Sequence, residues 1–578
     1  MRHLDEEFGN ATAVGRSELA EWEQAQADNY FSADKNSRQI LEMYWGSHQL
    51  RQQATRLFRF GGVAATEVDQ LARTIDLAAN LPRLNRFDGI GRRIESVEFH
   101  PDYHAAGRHI YDSGVMSVLD EPGNTLLSLA LFYLSSQNGE AGHNCPLACT
   151  AGAIKVLQAA GSKDLKERFL GRLLNPNYDH NFQAAQFLTE VQGGSDVGAN
   201  STHAAPTNRE DGTWLINGEK WFCSNVTAEV ILMTARVPGQ GQGTRGLGLF
   251  LVPRHLKDGS LNSFTINRLK DKLGTRSMAS GEMLFHDTVA FPVGDVDEGF
   301  RHVMQYVINT SRIFNAIGTT GNARRAYLVA SSYARHRRAF GHEIMRFPLV
   351  LAQLAEMRAD VAAMLGGSFR IAHLIDQAEI GRGEIDDGGF LRVALNLNKF
   401  RSAVLAHDVI LTAIELLGGN GAIESFSVLP RLLRDNVVYE NWEGTHNVLL
   451  AQVQRDMRRY QVQEPFLRTL RRWLHALRQP AELKQQLDET LIVIEAELEH
   501  VLGMDELTAA IYFRPLMVRL TDLYYAICLA VEAEWTLEEK QDRAKQRLAV
   551  LFASRRAFQQ EPKDIPYYDD QVARLALE

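Results

Sequence analysis

Three glycines form the first pattern in the sequence that could belong to a binding site. Gly241, Gly243 and Gly246 have the spacing of a loop that binds a dinucleotide. Such a loop must run into a helix, so that the phosphates meet the helix N-terminus. The segment that follows here, Leu247 to Val252, looks like a strand. We therefore interpret the glycines as a loop of a β domain.

Three neighbouring residues with metal-binding side chains form a second candidate. They are His143, Cys145 and Cys149. Zinc sites use three or four ligands, often as two separated pairs, and no second pair appears. Pro146 suits the first turn of a helix, which would bury Cys149 as a small apolar side chain. The pattern favours core packing, and no metal site is predicted.

A serine and a glutamate could serve as nucleophile and base. Ser195 lies in the segment Gly193 to Val197, which lacks the second glycine of a hydrolase nucleophile turn. We interpret Ser195 as a loop hydroxyl that offers a hydrogen bond. Glu443 stands between Trp442 and Gly444. A buried carboxylate there could act as a general base, whereas an exposed one would belong to a solvated helix face. By itself, this segment leaves both interpretations open.

The composition is that of an ordinary globular protein. The chain has 578 residues, 45% of them hydrophobic, with a net charge of −9 and four cysteines. This length allows roughly three or four packed units, and the negative charge argues against a whole-chain nucleic-acid-binding protein. Residues 1–7 are too polar for a secretory signal, and the longest apolar run noticed, Leu126 to Leu134, is too short to cross a bilayer. We predict a reduced, cytoplasmic protein without a membrane span.

Hydrophobic periodicity divides the chain into four parts that must position these residues. Residues 1–183 have helical spacing and predict an N-terminal helical domain. Short β-prone runs predict a compact β domain at 184–298. Helical spacing then predicts a four-helix-type bundle at 299–457 and a helical extension at 458–578. The predicted fold class is α+β.

The β domain contains one strong turn signal. Asn217-Gly218 separates two β-prone runs, Trp214 to Ile216 and Lys220 to Phe222. Asn-Gly readily adopts the positive φ angles of a two-residue turn. We therefore expect a β-hairpin with its turn at these two residues.

Several segments indicate a function only when they are considered together and in their order along the chain. In chain order they are Phe187-Leu188-Thr189-Glu190, Gly193-Gly194-Ser195-Asp196, Lys220-Trp221-Phe222-Cys223-Ser224, Arg337-Arg338-Ala339-Phe340-Gly341, Leu417-Gly418-Gly419-Asn420-Gly421, Arg434-Asp435 and Trp442-Glu443-Gly444-Thr445-His446-Asn447. In this order, across a helix–β–helix pattern, they resemble the acyl-CoA dehydrogenase family of FAD enzymes. The resemblance covers residues 100–457, and its specificity lies in the whole set.

The resemblance implies an FAD site between the β domain and the bundle. The implied contacts within one subunit are Gln186, Leu188, Thr189, Phe222, Ser224, Thr445 and Asn447. Phe222 stands where many relatives have tryptophan. We expect one of the adjacent Trp221 and Phe222 to pack in the β domain instead of contacting the flavin.

A second group of implied contacts reaches the FAD of a neighbouring subunit. Its members are Arg337, Phe340, Glu415, Gly418 and Gly419. An arginine fork pairs well with phosphate oxygens, and small residues let the backbone approach closely. The resemblance therefore implies a homodimer or a homotetramer.

The resemblance gives Glu443 the role of catalytic base. The carboxylate would take the α-proton of an acyl-CoA thioester, and flavin N5 would take the β-hydride. Some branches of the family place the base before an arginine on an earlier helix. The matching residue here is Ser311, before Arg312, and serine cannot do that work unaided. Ser195 and Arg312 are the implied substrate contacts.

Two further segments resemble the alkylation-response branch of the family, which has a C-terminal extension associated with DNA binding. They are Val97 to Pro101 and Lys270 to Ser277. A DNA-binding extension should be basic, but residues 456–578 hold 17 Lys and Arg against 21 Asp and Glu. The extension has a local basic cluster of Arg468, Arg471, Arg472 and Arg478. We expect the extension to pack against the core or a neighbouring subunit.

Two functions remain open at this stage. The first is an acyl-CoA oxidoreductase of fatty acid metabolism, whose electrons pass to an electron-transfer flavoprotein. The alternative is a flavoprotein of the alkylation-response type whose main role is nucleic-acid binding or protection.

Overall fold

Helices make up most of the molecule. The computed structural model describes residues 10–207, 212–479, 481–565 and 568–577. The α-helices before the central β region are α1 (Asn10–Gln24), α2 (Lys35–Val63), α3 (Asp69–Ile75), α4 (Pro101–Asp112), α5 (Thr125–Ser136), α6 (Ala141–Ala160), α7 (Lys163–Leu165) and α8 (Gly171–Leu173). Those after it are α9 (Gly299–His302), α10 (Asn309–His336), α11 (Pro348–Glu379), α12 (Asp387–Leu417), α13 (Leu429–Asn441), α14 (His446–Tyr460), α15 (Gln463–Ala476), α16 (Ala481–Gly503), α17 (Glu506–Lys540), α18 (Ala544–Phe552) and α19 (Tyr568–Leu577). This order confirms the predicted fold class.

A two-stranded sheet interrupts the N-terminal helices. Its strands, β1 (Arg83–Phe87) and β2 (Arg93–Glu98), pair antiparallel. The expectation of a mainly helical N-terminal part did not include them. The segment Asp88 to Arg92 connects the two strands into a hairpin.

The central β region is built on a closed circuit of strands. Its strands are β3 (Ala184–Phe187), β4 (His203–Pro206), β5 (Trp214–Ser224), β6 (Val230–Arg236), β7 (Leu247–Pro253), β8 (Phe264–Leu269) and β9 (Ser280–Pro292). Antiparallel pairs join β4 to β5, β5 to β9, β9 to β7 and β7 to β6, and one parallel pair joins β6 back to β4. A closed circuit leaves few strand edges unpaired. The result is a rigid platform with β3 attached beside β6.

The glycine loop runs into a strand, as predicted. Gly243–Gly246 forms a short 3₁₀ turn, and β7 begins at the next residue. No helix N-terminus is therefore available at this point for a dinucleotide phosphate.

The hairpin predicted at Asn217-Gly218 is wrong. Both residues lie inside the continuous strand β5, and the register against β9 shifts between Ile216 and Gly218. The shift is a β-bulge, in which Gly218 has a φ of 146°. A Cβ on Gly218 would lie 2.7 Å from the Cα of Thr202. Glycine is needed here because another part of the backbone comes close, and not because the chain turns.

We expect Gly218→Ala to lower the free energy of unfolding by about 2–4 kcal/mol, because the new Cβ would overlap Thr202 at a strained φ. Urea unfolding measures this loss. Gly239→Ala is the control, because Gly239 also has a positive φ, 79°, but a Cβ added to it would meet no atom within 4 Å. Equal losses in the two variants would contradict the role of close approach.

The helices that follow the β region form a buried bundle. Helices α10, α11 and α12 pack against one another, and α10 also packs on α5 and α6. The segment Asp387–Ala422, which includes α12, is long and apolar enough by length and composition to cross a membrane. The sequence-based statement that no run is long enough was therefore wrong. In this fold, α12 lies within the bundle and carries the fully buried Lys399.

The C-terminal extension packs against the bundle of the same chain. Arg401 of α12 forms a two-pronged ion pair with Asp522 of α17, at 2.7 and 2.8 Å, and both side chains are buried. Arg556 pairs with Asp360 of α11 at 2.6 Å. Charged side chains are rarely buried unless they are paired, so these pairs attach the extension to the bundle.

The basic cluster noted in the extension is neutralised by carboxylates. The pairs are Arg468 with Asp386, Arg471 with Glu495, Arg472 with Glu384, and Arg478 with Glu538. A phosphate backbone would have to compete with these carboxylates for the arginines.

Candidate active site

One large cavity lies between the β region and the bundle. Its volume is about 2040 Å³, twice the volume of about 1,000 Å³ at the upper end for small-molecule sites. The predicted site residues that line it are Gln186, Leu188, Thr189, Ser195, Phe222, Ser224, Arg312, Glu443 and Thr445. The fold therefore gathers these distant segments around a single space that is large enough for more than one ligand.

Glu443 lies in a tight turn between α13 and α14. Glu443 and Gly444 both have positive φ angles, 57° and 102°. A non-glycine residue in this region is uncommon, and it persists only where its surroundings hold it. Arg312 Nε donates to the main-chain oxygen of Glu443 at 3.2 Å, and Lys399 Nζ donates to that of Gly444 at 2.9 Å. Two buried cations therefore hold the turn.

The two oxygens of the Glu443 carboxyl group differ in their hydrogen bonding. Gln186 Nε2 donates to Oε1 at 2.7 Å. Oε2 is buried and has no hydrogen-bond partner among the described residues. Burial raises the pKa of Glu443 to about 7, although the charges of Arg312 and Lys399 and the Gln186 hydrogen bond each lower it. Such a carboxyl group can exchange a proton at neutral pH.

Strand alternation positions Gln186. Ala185 and Phe187 point into the core of the β region, whereas Ala184 belongs to the core shared with the helices. Gln186 lies on the same face as Ala184, because side chains alternate along a strand. Its Nε2 also donates to Ser311 Oγ at 3.0 Å. The serine at the alternative base position therefore contacts Gln186.

The structure separates the two adjacent aromatic residues of β5. Phe222 lines the cavity and is 51% exposed. The ring of Trp221 lies beneath the Lys270 ammonium, 3.5 Å from Nζ to the ring centre. Lys270 Nζ also lies 4.6 Å from the centre of the Phe222 ring, so both rings take part in the cation–π contact. Of the two, Phe222 lines the cavity and Trp221 does not. Ser224 also lines the cavity, 3.4 Å from Ser280 between hydroxyl oxygens.

Arg312 holds the turn that carries Glu443, which the sequence did not indicate. Besides its bond to Glu443, it donates from Nη1 to Asn396 Oδ1 at 2.7 Å and from Nη2 to Gln452 Oε1 at 3.1 Å. The residue is only 3% exposed. Its guanidinium is thus committed to protein groups, and the implied contact with the CoA portion of a substrate remains a prediction.

The cavity contains polar groups that the sequence did not single out. Within the part of the chain that the structure describes, Thr275 Oγ1 and Trp442 Nε1 are buried without a hydrogen-bond partner, and both residues line the cavity. Lys272 lines it too, and burial lowers its pKa to about 8. In the sequence, the segment that holds Thr275 and Lys272 stands out only because it resembles the alkylation-response branch of the family. Its approach to the site depends on a bond from Thr275 N–H to Asp435 Oδ1, at 2.6 Å, which no local pattern reveals.

The two cysteines of the metal candidate line the same cavity. Cys145 and Cys149 pack with Met278 against Trp442. A hydrogen bond with Cys145 and burial raise the pKa of the Cys149 thiol well above its usual value. In the part of the chain that the structure describes, no three His, Cys, Asp or Glu side chains are grouped as a metal would need.

The residues implied to reach a neighbour's FAD lie outside the cavity. None of Arg337, Phe340, Glu415, Gly418 and Gly419 is among its lining residues. Phe340 is 93% exposed, with a φ of 52°, and Arg337 lies 3.5 Å from Glu18. Their assignment to a neighbouring copy's cofactor remains a prediction.

Asn447 is another implied FAD contact that does not line the cavity. Its Oδ1 accepts a hydrogen bond from Arg514 Nη1 of α17 at 3.1 Å. In this chain, Asn447 therefore connects α14 to the extension.

Comparison with family models gives three matches. Residues 21–180 match the adaptive response protein AidB N-terminal domain. Residues 185–288 match the acyl-CoA dehydrogenase middle domain, and residues 297–458 match the acyl-CoA dehydrogenase C-terminal domain. These ranges follow one another in chain order and hold Gln186, Phe222 and Glu443.

Two curated proteins are similar over most of this chain. Acyl-CoA dehydrogenase family member 11 of Caenorhabditis elegans is 32% identical over 415 residues, which are 70% of this chain and 66% of that protein. A protein of Escherichia coli strain K12 named putative acyl-CoA dehydrogenase AidB is 30% identical over 450 residues, which are 73% of this chain and 80% of that protein.

Two solved structures share the architecture along nearly the whole chain. A structure titled Bd2924 apo-form has a TM-score of 0.80 and 30% identity, covering 88% of this chain and 98% of that one. The Caenorhabditis elegans ACDH-11 structure in complex with C11-CoA has a TM-score of 0.83 and 26% identity, covering 93% of this chain and 92% of that one. The shared architecture thus extends beyond the residues that the family models match.

Proposed function

We propose, because this chain belongs to the acyl-CoA dehydrogenase family, that it oxidises an acyl-CoA thioester between the α- and β-carbons with Glu443 as the base. The observation that supports this proposal is the state of one carboxyl group. Glu443 lines the cavity, its Oε2 is buried without a hydrogen-bond partner among the described residues, and its pKa is raised to about 7. The solved relative in complex with C11-CoA supports an acyl-CoA as the substrate.

FAD is the cofactor of the family, and the cavity residues fit it. Thr275 Oγ1, Trp442 Nε1 and Glu443 Oε2 are buried without a hydrogen-bond partner among the described residues, and all three residues line this one cavity. A ligand that carries both donors and acceptors would satisfy them. Gln186 to Thr189, Phe222 and Ser224 would hold the flavin ring, as the family resemblance implies. When bound, FAD supplies the acceptor for the hydride that leaves the β-carbon.

The protein's own part in the reaction is to move one proton. Gln186 fixes Glu443 Oε1, which leaves Oε2 as the atom that accepts the α-proton. Arg312 and Lys399 stabilise the carboxylate form, and burial opposes it. The balance of these effects keeps the base available near neutral pH. We expect the main-chain N–H of Glu443 to polarise the thioester carbonyl, as the resemblance implies.

The proposal extends to an assembly and an electron acceptor. The exposed Phe340 and the segment Glu415 to Gly419 lie away from this chain's cavity, where a second copy could bring its cofactor. We therefore propose a homo-oligomer. An electron-transfer flavoprotein is the proposed acceptor, on the basis of the family resemblance alone.

The nucleic-acid alternative gains no support from the charges. Each arginine of the extension's basic cluster contacts a carboxylate. Duplex binding that weakens steeply with salt would favour this alternative. Such salt-sensitive binding, together with the failure of every acyl-CoA to reduce the flavin, would establish nucleic-acid binding as the main role.

The proposed function is tested by adding acyl-CoAs of different chain lengths to the FAD-loaded protein without oxygen. At least one of them should bleach the visible absorbance of the flavin. The same panel would show which chain length and branching the cavity accepts. Failure of every acyl-CoA to bleach a fully loaded protein would contradict the proposal.

The rate of flavin reduction should rise with pH through about 7, because Glu443 must be ionised to accept a proton and its pKa is raised to about 7. At low substrate concentration, the rate should fall about tenfold per pH unit below that midpoint. Asp376→Asn is the control, because burial also raises the pKa of Asp376 to about 7 while its carboxylate caps α5 through Thr125 N–H. A midpoint that disappears in this variant but persists in Glu443→Gln would contradict the assignment.

A further inference from the structure

One buried lysine belongs to none of the salt bridges among the described residues. Lys399 of α12 is 0% exposed. Lysine is almost never fully buried unless a carboxylate pairs with it, because the desolvated charge is costly. The position of Lys399 therefore requires a different explanation.

The hydrogen-bond partners of Lys399 are main-chain carbonyls. Its Nζ donates to the oxygens of Glu440 and Gly444, both at 2.9 Å. Glu440 is in the last turn of α13, where the carbonyls have no partner within the helix and a cation is favourable. Gly444 follows Glu443 within the turn. The ammonium group therefore joins the two sides of the turn that carries Glu443.

A second cation from a different helix completes the arrangement. Arg312 of α10 donates to the main-chain oxygen of Glu443 itself. The carbonyls of Glu440, Glu443 and Gly444 are thus held by two buried cations. Glu443 has the left-handed backbone conformation at this point, which the surroundings must hold in place.

We propose that Lys399 is a positioning residue for the base. Its ammonium group clamps the turn through the carbonyls of Glu440 and Gly444, and it supplies one of the two buried positive charges that act on the Glu443 carboxylate. This inference rests on the proposed function insofar as it takes Glu443 to be the base.

The charged and titratable groups around Lys399 come from several elements. They are Arg312 on α10, Glu440 on α13, Glu443 in the turn and His446 on α14. Burial lowers the pKa of Lys399, the charges of Glu443 and Glu440 oppose that effect, and the charge of Arg312 adds to it. In return, the charge of Lys399 lowers the pKa of Glu443. Removing that charge must therefore raise the pKa of Glu443.

The decisive experiment compares Lys399→Met with Lys399→Arg in the FAD-loaded protein. In Lys399→Met, we expect the pH midpoint of flavin reduction to move up by about one unit or more, with a rate at neutral pH at least about tenfold lower. Lys399→Arg keeps the charge and should return the midpoint towards that of the unmodified protein. An arginine variant whose midpoint matches that of the methionine variant would overturn the role of the charge.

Lys545→Met is the matched control for losing a buried lysine. Lys545 is equally buried but pairs with Glu532 in the extension, far along the chain from the turn. Lys545→Met should lose stability and keep the pH midpoint. If Lys399→Met also keeps the midpoint, whatever its stability, Lys399 is merely structural and the inference is wrong.

A substrate-free measurement separates this inference from the proposed function. The flavin spectrum should change with pH as Glu443 ionises, and the change should be absent in Glu443→Gln. Its midpoint in Lys399→Met decides the role of Lys399 even if no acyl-CoA reduces the flavin. If no acyl-CoA reduces the flavin, the proposed function fails. An upward shift of the spectral midpoint in Lys399→Met would still support the inference about Lys399. An unchanged midpoint in that variant would still overturn it.

Discussion

Glu443→Gln should slow reduction of the bound flavin by acyl-CoA about 10²–10⁴-fold, the usual contribution of a general base, and should leave FAD bound. Glutamine has nearly the shape of the glutamate it replaces, so the turn held by Arg312 and Lys399 should persist. Its amide cannot take a proton at the position of Oε2. Anaerobic rapid mixing measures the rate of reduction, and the flavin spectrum measures how much FAD stays bound.

The matched control for this prediction is Glu499→Gln, which neutralises an exposed carboxylate of α16 that does not line the cavity. It should reduce at the unmodified rate. A Glu443→Gln protein that bleaches as fast as this control would show that a different group removes the proton. Loss of FAD in Glu443→Gln would instead give the residue a role in holding the cofactor.

Arg401→Met should lower the free energy of unfolding by about 3–5 kcal/mol, because it leaves a buried carboxylate without its partner. Asp522 accepts both hydrogen bonds of the Arg401 fork and is 1% exposed. Burial raises the pKa of Asp522, and Arg401 opposes that effect. Chemical unfolding followed by circular dichroism measures the loss.

The double variant Arg401→Met/Asp522→Leu distinguishes a charge effect from a packing effect. Replacing both members of a buried pair with apolar residues is often neutral. We therefore expect the double variant to recover most of the stability that the single variant loses. A double variant less stable than Arg401→Met would mean that packing volume, and not the unpaired charge, dominates at this contact.

The architecture could be predicted from the sequence because periodicity reports which face of each element is buried. The run at Leu247 to Val252 is a strand, as expected. The prediction failed at Asn217-Gly218, where a turn dipeptide lies within a strand. A glycine can be required either by a turn or by the close approach of another backbone segment, and the sequence does not distinguish the two. At Gly218, the nearby backbone of Thr202 shows that close approach is the reason.

The catalytic candidate could be predicted, but the groups that hold it could not. Glu443 and Gln186 came from ordered segments that resemble a known family, and they lie in hydrogen-bond contact. Lys399 and Arg312 act on main-chain carbonyls, which every residue has. A sequence shows that a cation interrupts an apolar helix, but not which carbonyl it meets. Such contacts become visible only once α10 and α12 are packed against the turn.

The most direct test of the account is a crystal structure of the FAD-loaded protein with an acyl-CoA that it binds. The α-carbon of the thioester should lie about 3–3.5 Å from Glu443 Oε2, the separation expected for reacting atoms. The flavin should lie on the opposite side of the acyl chain. An acyl chain that runs through the cavity with its α-carbon beyond the reach of residue 443 would contradict the assignment of the base.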